Sequence, residues 1–160
     1  MAQLIIIMGV SGTGKSTIGE LLSEKLQLPY HDADDFHPEA NVQKMQQGNP
    51  LNDQDREPWL QLLSDKLEGW SDTGTILACS ALKEKYRRTL SKSNQLPIKW
   101  VHLVGSFEVI RERMLTRKNH YMPESLLQSQ FDALENPTNA IDVNIENTPK
   151  EMVAEILAKL

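Results

Sequence analysis

The sequence predicts an α/β fold in which helices cover both faces of a five-stranded, mostly parallel sheet. Short apolar, β-branched runs alternate with amphipathic helical stretches, and the first run leads through a glycine loop into a helix. The length of 160 residues, with 39% hydrophobic and 24% charged residues and only 8 Gly and 8 Pro, is typical of one globular domain. Low-complexity and disordered classes are excluded.

The charge balance and the single cysteine limit the possible partners and locations. The chain has 17 basic and 22 acidic residues, a net charge of −5, which argues against a nucleic-acid partner held over a broad surface. Cys79 cannot form an internal disulfide, so we expect a cytoplasmic protein. The apolar run Leu4–Met8 is too short for a membrane span and has no basic segment before it, so no membrane association is expected.

The strands are predicted from their apolar runs. Leu4–Met8 is continuous and rich in isoleucine, which is typical of a strand buried on both faces. Lys15–Leu26 follows as a helix, because its apolar residues recur at spacings of three and four. Four further strands are predicted at Pro29–His31, Thr75–Cys79, Trp100–Val104 and Ile141–Ile145.

Helical stretches separate these strands. Two apolar stripes are predicted to pack into the core, one formed by Trp59, Leu62, Leu63 and Leu67 and the other by Phe107, Ile110 and Met114. Ser106 is the expected N-cap of the second stripe's helix. The last helix begins at Thr148–Glu151 with a capping-box spacing and a proline at its first position. It is predicted to bury Val153, Ile156, Leu157 and Leu160.

The segment Gly9–Ser16 reads GVSGTGKS and matches the phosphate-loop pattern GxxxxGK[ST] in full. Its glycines let the backbone curl so that amide groups and the N-terminus of the next helix face phosphate oxygens. A chance glycine turn is the alternative, but the preceding strand and the following helix agree with the motif. The sequence therefore predicts a three-layer P-loop NTPase fold. The residues expected at the nucleotide are Gly9, Ser11, Gly12, Thr13, Gly14, Lys15, Ser16 and Thr17, with Lys15 at the terminal phosphates and Ser16 at a magnesium ion.

A phosphate loop leaves open whether the γ-phosphoryl group is transferred to water or to a bound acceptor. The sequence has no guanine-reading Asn-Lys-x-Asp run and no Asp-x-x-Gly switch, which argues against a GTPase. The strand at Thr75–Cys79 continues into Ser-Ala-Leu-Lys instead of an acidic pair, which argues against a motor ATPase.

Two carboxylates, Asp32 and Asp34, follow the second predicted strand. Their i, i+2 spacing directs both to the same side of an extended backbone. Because open α/β sheets bind ligands at the carboxyl ends of their strands, one carboxylate could hold hydrated magnesium and the other an acceptor hydroxyl. An N-capping acidic turn is the alternative, and the phosphate loop favours the functional interpretation.

Basic residues could hold an acidic ligand at two places. Arg56 precedes a helix and could hold an acidic substrate, although the sequence alone favours a surface ion pair with Asp53 or Asp55. Arg113 and Arg117 share a helix face and predict a mobile flap that neutralises the transferring phosphoryl group and excludes water. A basic helix end that complements its own dipole is the alternative.

The chain resembles the gluconokinase family, small P-loop kinases related in fold to shikimate and nucleoside monophosphate kinases. The resemblance spans nearly the whole chain and rests on MGVSGTGKS (8–16), DADD with HP (32–38), PWL (58–60), CSALK (79–83) and HYMP (120–123). It implies ATP-dependent phosphorylation of D-gluconate at its terminal hydroxyl, with Mg²⁺, in a homodimer. It also implies a single kinase domain over residues 1–160, with a helical substrate-binding insertion at about 36–70 and a mobile lid at about 113–135.

The resemblance further implies roles for individual residues. Asp34 is expected to contact the acceptor hydroxyl and act as the base, and Asp32 to hold magnesium-bound water. Lys15 and Arg117 are the other expected catalytic residues, and Arg113 is expected at the adenine. Gluconate contacts are expected from Asp34, His37, Arg56, Arg87 and His120. A kinase for another small acidic metabolite, such as shikimate, and a non-catalytic ATP-binding regulator are the two alternatives.

Overall fold

The computed structural model describes residues 2–92, 96–116 and 124–160. Five strands form one parallel sheet in the order β2-β3-β1-β4-β5: β1 (Leu4–Met8), β2 (Tyr30–Asp32), β3 (Thr75–Ala78), β4 (Ile98–Val104) and β5 (Ile141–Asn144). The helices are α1 (Lys15–Leu26), α2 (Glu39–Gln46), α3 (Asp53–Gly69), α4 (Glu84–Ser91), α5 (Phe107–Thr116), α6 (Glu124–Ala133) and α7 (Pro149–Lys159). Residues Ala33–Phe36 form a 3-10 turn. The predicted fold class is confirmed.

All five predicted strands are present: β1 has the predicted ends, and the ends of the other four differ from the prediction by no more than two residues. β4 begins two residues earlier than predicted, because Ile98 and Lys99 pair with the first residues of β1. β2 extends to Asp32, which pairs with Ala78 of β3. Backbone pairing across the sheet, which a local apolar pattern does not report, sets these ends.

The continuous apolar run of β1 is explained by a separate core on each face of the sheet. Ile5 and Ile7 pack in a core formed with α1, α5, α6 and α7. Leu4, Ile6 and Met8 pack in the opposite core with α3 and α4. All five side chains are fully buried, so no position on β1 tolerates a polar residue.

The predicted core stripe of α3 is correct except at one position. Trp59, Leu63 and Leu67 are buried, whereas Leu62 is 40% exposed and Leu60 is buried in its place. At 100° per residue the buried side chains centre between Leu63 and Leu67, and this leaves Leu62 outside the stripe.

The helix caps follow the prediction. Ser106 Oγ accepts a hydrogen bond from the Val109 amide at 3.2 Å at the start of α5. Thr148 and Glu151 form a reciprocal capping box at α7. In α5 Ile110 is fully buried, and in α7 Val153 and Ile156 are buried. Leu157 and Leu160, which the sequence also predicts to be buried, are only partly buried and pack against the core. None of the helices in the described ranges is long and apolar enough to span a membrane.

The strand order places three loops next to one another at the edge of the sheet formed by the carboxyl ends of the strands. β3 lies between β1 and β2, so the phosphate loop, the turn after β2 and the loop after β3 leave the sheet side by side. The Gly9 amide donates to the Ser80 carbonyl at 3.2 Å, which joins two of these loops. Ligands of open parallel sheets bind at this edge.

Candidate active site

The phosphate loop connects β1 to α1 and is braced from within. Gly14 precedes α1 with φ 92° and ψ 25°, a left-handed conformation that glycine adopts without steric cost. Thr13 Oγ1 donates to the Val10 carbonyl at 2.9 Å. Lys15 Nζ donates to the carbonyls of Gly9 and Val10 at 3.0 and 2.9 Å. The loop therefore curls around the lysine ammonium group and directs the N-terminus of α1 toward the sheet edge.

A cavity opens above this loop and is called the phosphate-loop cavity below. Its lining residues are Ser11, Gly12, Gly14, Lys15, Ser16, Thr17, Asp32, Asp34, Ala78, Cys79 and Ser80. The cavity thus brings together most of the residues that the sequence predicts at a nucleotide and both carboxylates after β2. Gly9 and the buried Thr13 are not among the lining residues and support the loop from beneath.

Asp32 combines the two roles that the sequence left open. Its Oδ1 accepts from the Asp34 amide at 2.9 Å and so caps the 3-10 turn. The Ser16 hydroxyl donates to its Oδ2 at 3.5 Å, so the same carboxylate also faces the phosphate loop. Burial raises the pKa of Asp32, and the nearby Lys15 opposes this shift.

Lys15 is desolvated beside two carboxylates. Burial lowers its pKa below the ordinary value, while Asp34, Cys79 and Asp32 act in the opposite direction. Cys79 lies at the base of the cavity, and burial raises the pKa of its thiol to about 12. The thiol is therefore neutral and serves as a small buried side chain, as the sequence suggests.

A second cavity adjoins the first and is called the Trp59 cavity below. It is lined by Ser11, Asp34, His37, Met45, Leu51, Arg56, Trp59, Ser80, Ala81, Leu82, Tyr86 and Gln130. Three residues, Ser11, Asp34 and Ser80, line both cavities. Asp34 therefore lies at the junction, where a group bound in one cavity meets a group bound in the other.

Arg56 lines the Trp59 cavity. Its Nη1 donates to the Leu51 carbonyl at 2.7 Å and to the Tyr86 hydroxyl at 3.2 Å, and its guanidinium carbon lies 5.4 Å from the centre of the Tyr86 ring. The surface ion pair that the sequence alone favours is wrong, because the neighbouring carboxylates have other partners: Asp53 pairs with Lys83 and Lys85, and Asp55 pairs with Lys44.

His37 is held in one orientation between α2 and α3. Its ring stacks on Trp59, with centroids 4.0 Å apart and an interplanar angle of 16°. Asn41 Nδ2, which donates to the Asp55 carbonyl at 2.9 Å, lies 3.3 Å from His37 Nδ1. Nδ1 is then the acceptor and Nε2 carries the proton, directed toward Asp34 Oδ1 at 3.7 Å.

We predict that His37 makes the protein less stable as the pH falls below neutrality. Burial and the nearby Arg56 lower the pKa of His37 from 6.5 to about 4. Between these values the unfolded chain binds a proton that the folded chain does not, so the free energy of unfolding decreases as the pH decreases. Urea unfolding between pH 7 and pH 4 should show a steeper decrease for the wild type than for His37→Gln. His31 and His102 are present in both proteins and cancel in the comparison, and equal slopes would contradict the prediction.

Arg87 lines neither cavity, although the family resemblance implies a substrate contact. It is 4% exposed, and its guanidinium donates to the carbonyls of Ala81 and Glu135 at 2.6 and 2.8 Å and to the Glu84 carboxylate at 3.2 Å. Ala81 has a φ of 46°, a conformation that costs energy in a residue with a side chain. The described contacts of Arg87 therefore support the strained wall of the Trp59 cavity.

Arg113 also lines neither cavity. Its Nη2 donates to the carbonyl of Ile145, which follows β5. Two further predicted residues, Arg117 and His120, lie outside the described residues, as does part of the predicted lid at 113–135. The structure describes that lid only in its flanks, the end of α5 and the whole of α6.

Several cavity residues are not among the site residues that the sequence predicts, and Gln130 and Ser80 are two of them. Gln130 on α6 contacts Ser11 through two hydrogen bonds although 119 residues separate them. Ser80 lies in the CSALK run on which the family resemblance rests, but no role is predicted for it. No local pattern assigns a role to either residue, because each acquires its position from the packing of distant segments.

Comparison with known proteins identifies the family. A model described as an AAA domain matches residues 5–130. A probable gluconokinase from Rattus norvegicus is 44% identical, with 98% of this chain and 97% of the rat protein covered. The crystal structure of a gluconokinase from Sinorhizobium meliloti 1021 superposes with a TM-score of 0.90 at 41% identity, covering 98% of this chain and 90% of that chain.

A more distant structure supports the fold alone. Shikimate kinase from Aquifex aeolicus superposes with a TM-score of 0.67 at 23% identity, covering 98% of this chain and 95% of that chain. This agrees with the expected relation in fold and carries no information on the substrate. The near-complete coverage at above 40% identity shows that this chain belongs to the gluconokinase family.

Proposed function

We propose that the chain transfers the γ-phosphoryl group of ATP to the terminal hydroxyl of D-gluconate, which gives ADP and 6-phospho-D-gluconate. One observation carries the proposal. Asp34 lies where the phosphate-loop cavity meets the Trp59 cavity, so a nucleotide in the first and a polyol acid in the second would have their reacting groups at this carboxylate.

ATP binds in the phosphate-loop cavity. Amide groups at the start of α1 and the helix dipole stabilise the phosphate charge. Lys15 Nζ lies within 3.0 Å of two loop carbonyls and supplies the positive charge at the terminal phosphates. Transfer needs little covalent chemistry from the protein, because the phosphoryl group passes in line between two oxygens whose positions the chain fixes.

The donor set at the edge of the phosphate-loop cavity fits Mg²⁺. Ser16 Oγ and Asp32 Oδ2 are oxygen donors 3.5 Å apart, and Mg²⁺ prefers oxygen and keeps several of its waters. Ser16 would hold the ion directly, and Asp32 would hold one of its waters. When bound, the ion neutralises charge on the outer phosphate oxygens.

D-Gluconate binds in the Trp59 cavity with its terminal hydroxyl at Asp34. Asp34 accepts the proton of that hydroxyl as the oxygen attacks phosphorus, and the leaving group departs as ADP. Arg56 in the wall of the same cavity holds the gluconate carboxylate, since the Nε and Nη2 hydrogens of its guanidinium are not used by Leu51 or Tyr86. His37 Nε2 is a donor for a sugar hydroxyl or for Asp34.

Replacing Arg56 with glutamine should raise the KM for gluconate by about ten- to a hundredfold, the loss of a charge-assisted contact. The KM for ATP should stay within about twofold, because Arg56 does not line the phosphate-loop cavity. Arg88→Gln on α4 is the matched control, since the Arg88 side chain is 75% exposed. An unchanged KM for gluconate in Arg56→Gln, or an equal increase in the control, would contradict the assignment.

The reaction product tests the proposed position of transfer. After incubation with ATP, Mg²⁺ and D-gluconate, proton-coupled phosphorus NMR should show a phosphomonoester split into a triplet, because the terminal carbon carries two protons. A doublet would place the phosphate on a secondary hydroxyl and contradict the proposal.

We propose one kinase domain over residues 1–160. The helical segment at about 36–70, which contributes His37, Met45, Leu51, Arg56 and Trp59 to the cavity, is its substrate-binding insertion. The segment at about 113–135 is its lid. We also propose a cytoplasmic homodimer without nucleic-acid or membrane partners, and sedimentation equilibrium measures that assembly directly.

A further inference from the structure

Gln130 makes a two-point contact with the phosphate loop. The Ser11 amide donates to Gln130 Oε1 at 2.7 Å, and Gln130 Nε2 donates to Ser11 Oγ at 3.0 Å. One carboxamide thus accepts a hydrogen bond from the Ser11 amide and donates one to the Ser11 hydroxyl oxygen. Gln130 lines the Trp59 cavity, whereas Ser11 lines both cavities.

This contact determines the direction of the Ser11 hydroxyl proton. A hydroxyl oxygen that accepts from Gln130 Nε2 must direct its own hydrogen elsewhere. The Ser11 amide is occupied by Gln130 Oε1, so the main chain at Ser11 is also fixed. Because Ser11 lines both cavities, its hydroxyl is the polar group of the loop best placed to donate at their junction.

Gln130 is itself held in place by contacts of Glu135, which lies two residues after the end of α6. The Glu135 amide donates to the Leu82 carbonyl at 2.8 Å, and the Glu84 amide donates to Glu135 Oε1 at 2.7 Å. Arg87 Nη2 donates to the Glu135 carbonyl at 2.8 Å. The helix that carries Gln130 is therefore fastened to the loop after β3, which forms the wall of the Trp59 cavity.

We propose that Gln130 is a positioning residue for phosphoryl transfer. It holds Ser11 so that the Ser11 hydroxyl donates a hydrogen bond to the phosphoryl group as it passes from ATP to the acceptor. Charge spreads over the phosphoryl oxygens in the transition state, so a donor fixed in advance at the junction favours that state over bound ATP. The inference rests on the proposed function, because it requires that transfer occur between the two cavities.

The first test compares Gln130→Met with Gln128→Met. Both substitutions remove a carboxamide from α6, but Gln128 is exposed, and among the described residues its side chain donates a hydrogen bond to Asp132 alone. Gln130→Met should lower kcat for gluconate-dependent ADP release by about tenfold or more, while the KM for ATP stays within about twofold. Gln128→Met should retain wild-type kcat. An unchanged kcat in Gln130→Met, or an equal decrease in Gln128→Met, overturns the proposal.

The second test asks whether Gln130 acts through Ser11. Ser11→Ala alone should lower kcat, and adding Gln130→Met to Ser11→Ala should lower it by less than about twofold more, because the hydroxyl to be positioned is already absent. Equal losses from Gln130→Met in the two backgrounds contradict a shared action. Gln130→Glu provides a second variant of the same shape, since a carboxylate accepts from the Ser11 amide but cannot donate to its hydroxyl. It should show the same decrease in kcat, and wild-type kcat in this variant also overturns the proposal.

Failure of the proposed function would be visible separately. It would appear as a wild-type protein that releases no ADP with gluconate. The Gln130 proposal fails only where the wild type is active with gluconate and the variants do not differ as described.

Discussion

Replacing Lys15 with methionine should reduce gluconate-dependent ADP release by about a thousandfold or more and leave the fold intact. Lys15 Nζ is held by two carbonyls of the phosphate loop, and it is the cation of that loop nearest to where the terminal phosphates bind. Preorganised positive charge at a transferring phosphoryl group contributes several orders of magnitude to its rate. The change should appear in steady-state kinetics as a loss of kcat/KM.

The stability of this variant should change little, because two effects oppose each other. Burial lowers the pKa of Lys15, which means that the charged form is disfavoured in its surroundings, and methionine removes the charge at similar length. The loss of the two hydrogen bonds to the Gly9 and Val10 carbonyls opposes this gain, so thermal unfolding should give a Tm close to that of the wild type. Lys25→Met, in the last turn of the same helix, is the control for activity. Retention of more than about a tenth of the wild-type rate in Lys15→Met would contradict the role of Lys15.

Replacing Asp34 with asparagine should abolish transfer while ATP binding is kept. Asparagine fills the same space but cannot accept the proton of the attacking hydroxyl, and loss of a general base typically costs about a hundred- to ten-thousandfold in rate. ATP is held mainly by the phosphate loop, so calorimetric titration with a non-hydrolysable ATP analogue should give a Kd within about threefold of the wild type.

Asp35→Asn is the matched control for this experiment. Asp35 is the next residue of the same 3-10 turn and lines neither cavity. The control should retain wild-type activity and wild-type affinity for the analogue. Transfer by Asp34→Asn at a rate comparable to that of the control would show that the base is a different group.

The fold could be predicted from the sequence because its strongest signals are local. The isoleucine run of β1, the glycine loop and the spacing of apolar residues in α1 each specify their element without reference to distant residues. Leu62 shows the limit of these local signals. The predicted stripe of Trp59, Leu62, Leu63 and Leu67 has helical spacing. Only packing against the sheet decides that Leu60 is buried and Leu62 is exposed.

The candidate site could be predicted in its nucleotide half but only in part elsewhere. Ser16, Asp32 and Asp34 are found by motif and by spacing, and the structure brings them together. Arg56 could not be separated from a surface charge by its acid-flanked sequence, because the lysines that pair with those acids come from other segments. No role could be assigned to Gln130 from the sequence, because its contact with Ser11 joins segments 119 residues apart.

The proposed phosphorylation of D-gluconate is tested most simply by measuring ADP release from ATP and Mg²⁺ with a panel of acceptors. The panel compares D-gluconate with other aldonates, shikimate, nucleoside monophosphates and no acceptor. ADP release should be rapid with D-gluconate, and only slow background release should occur without an acceptor. Release that depends on another acceptor and not on gluconate would keep the transfer mechanism and contradict the substrate. Tight ATP binding without release in the presence of any acceptor would contradict catalysis and favour a regulator that binds ATP.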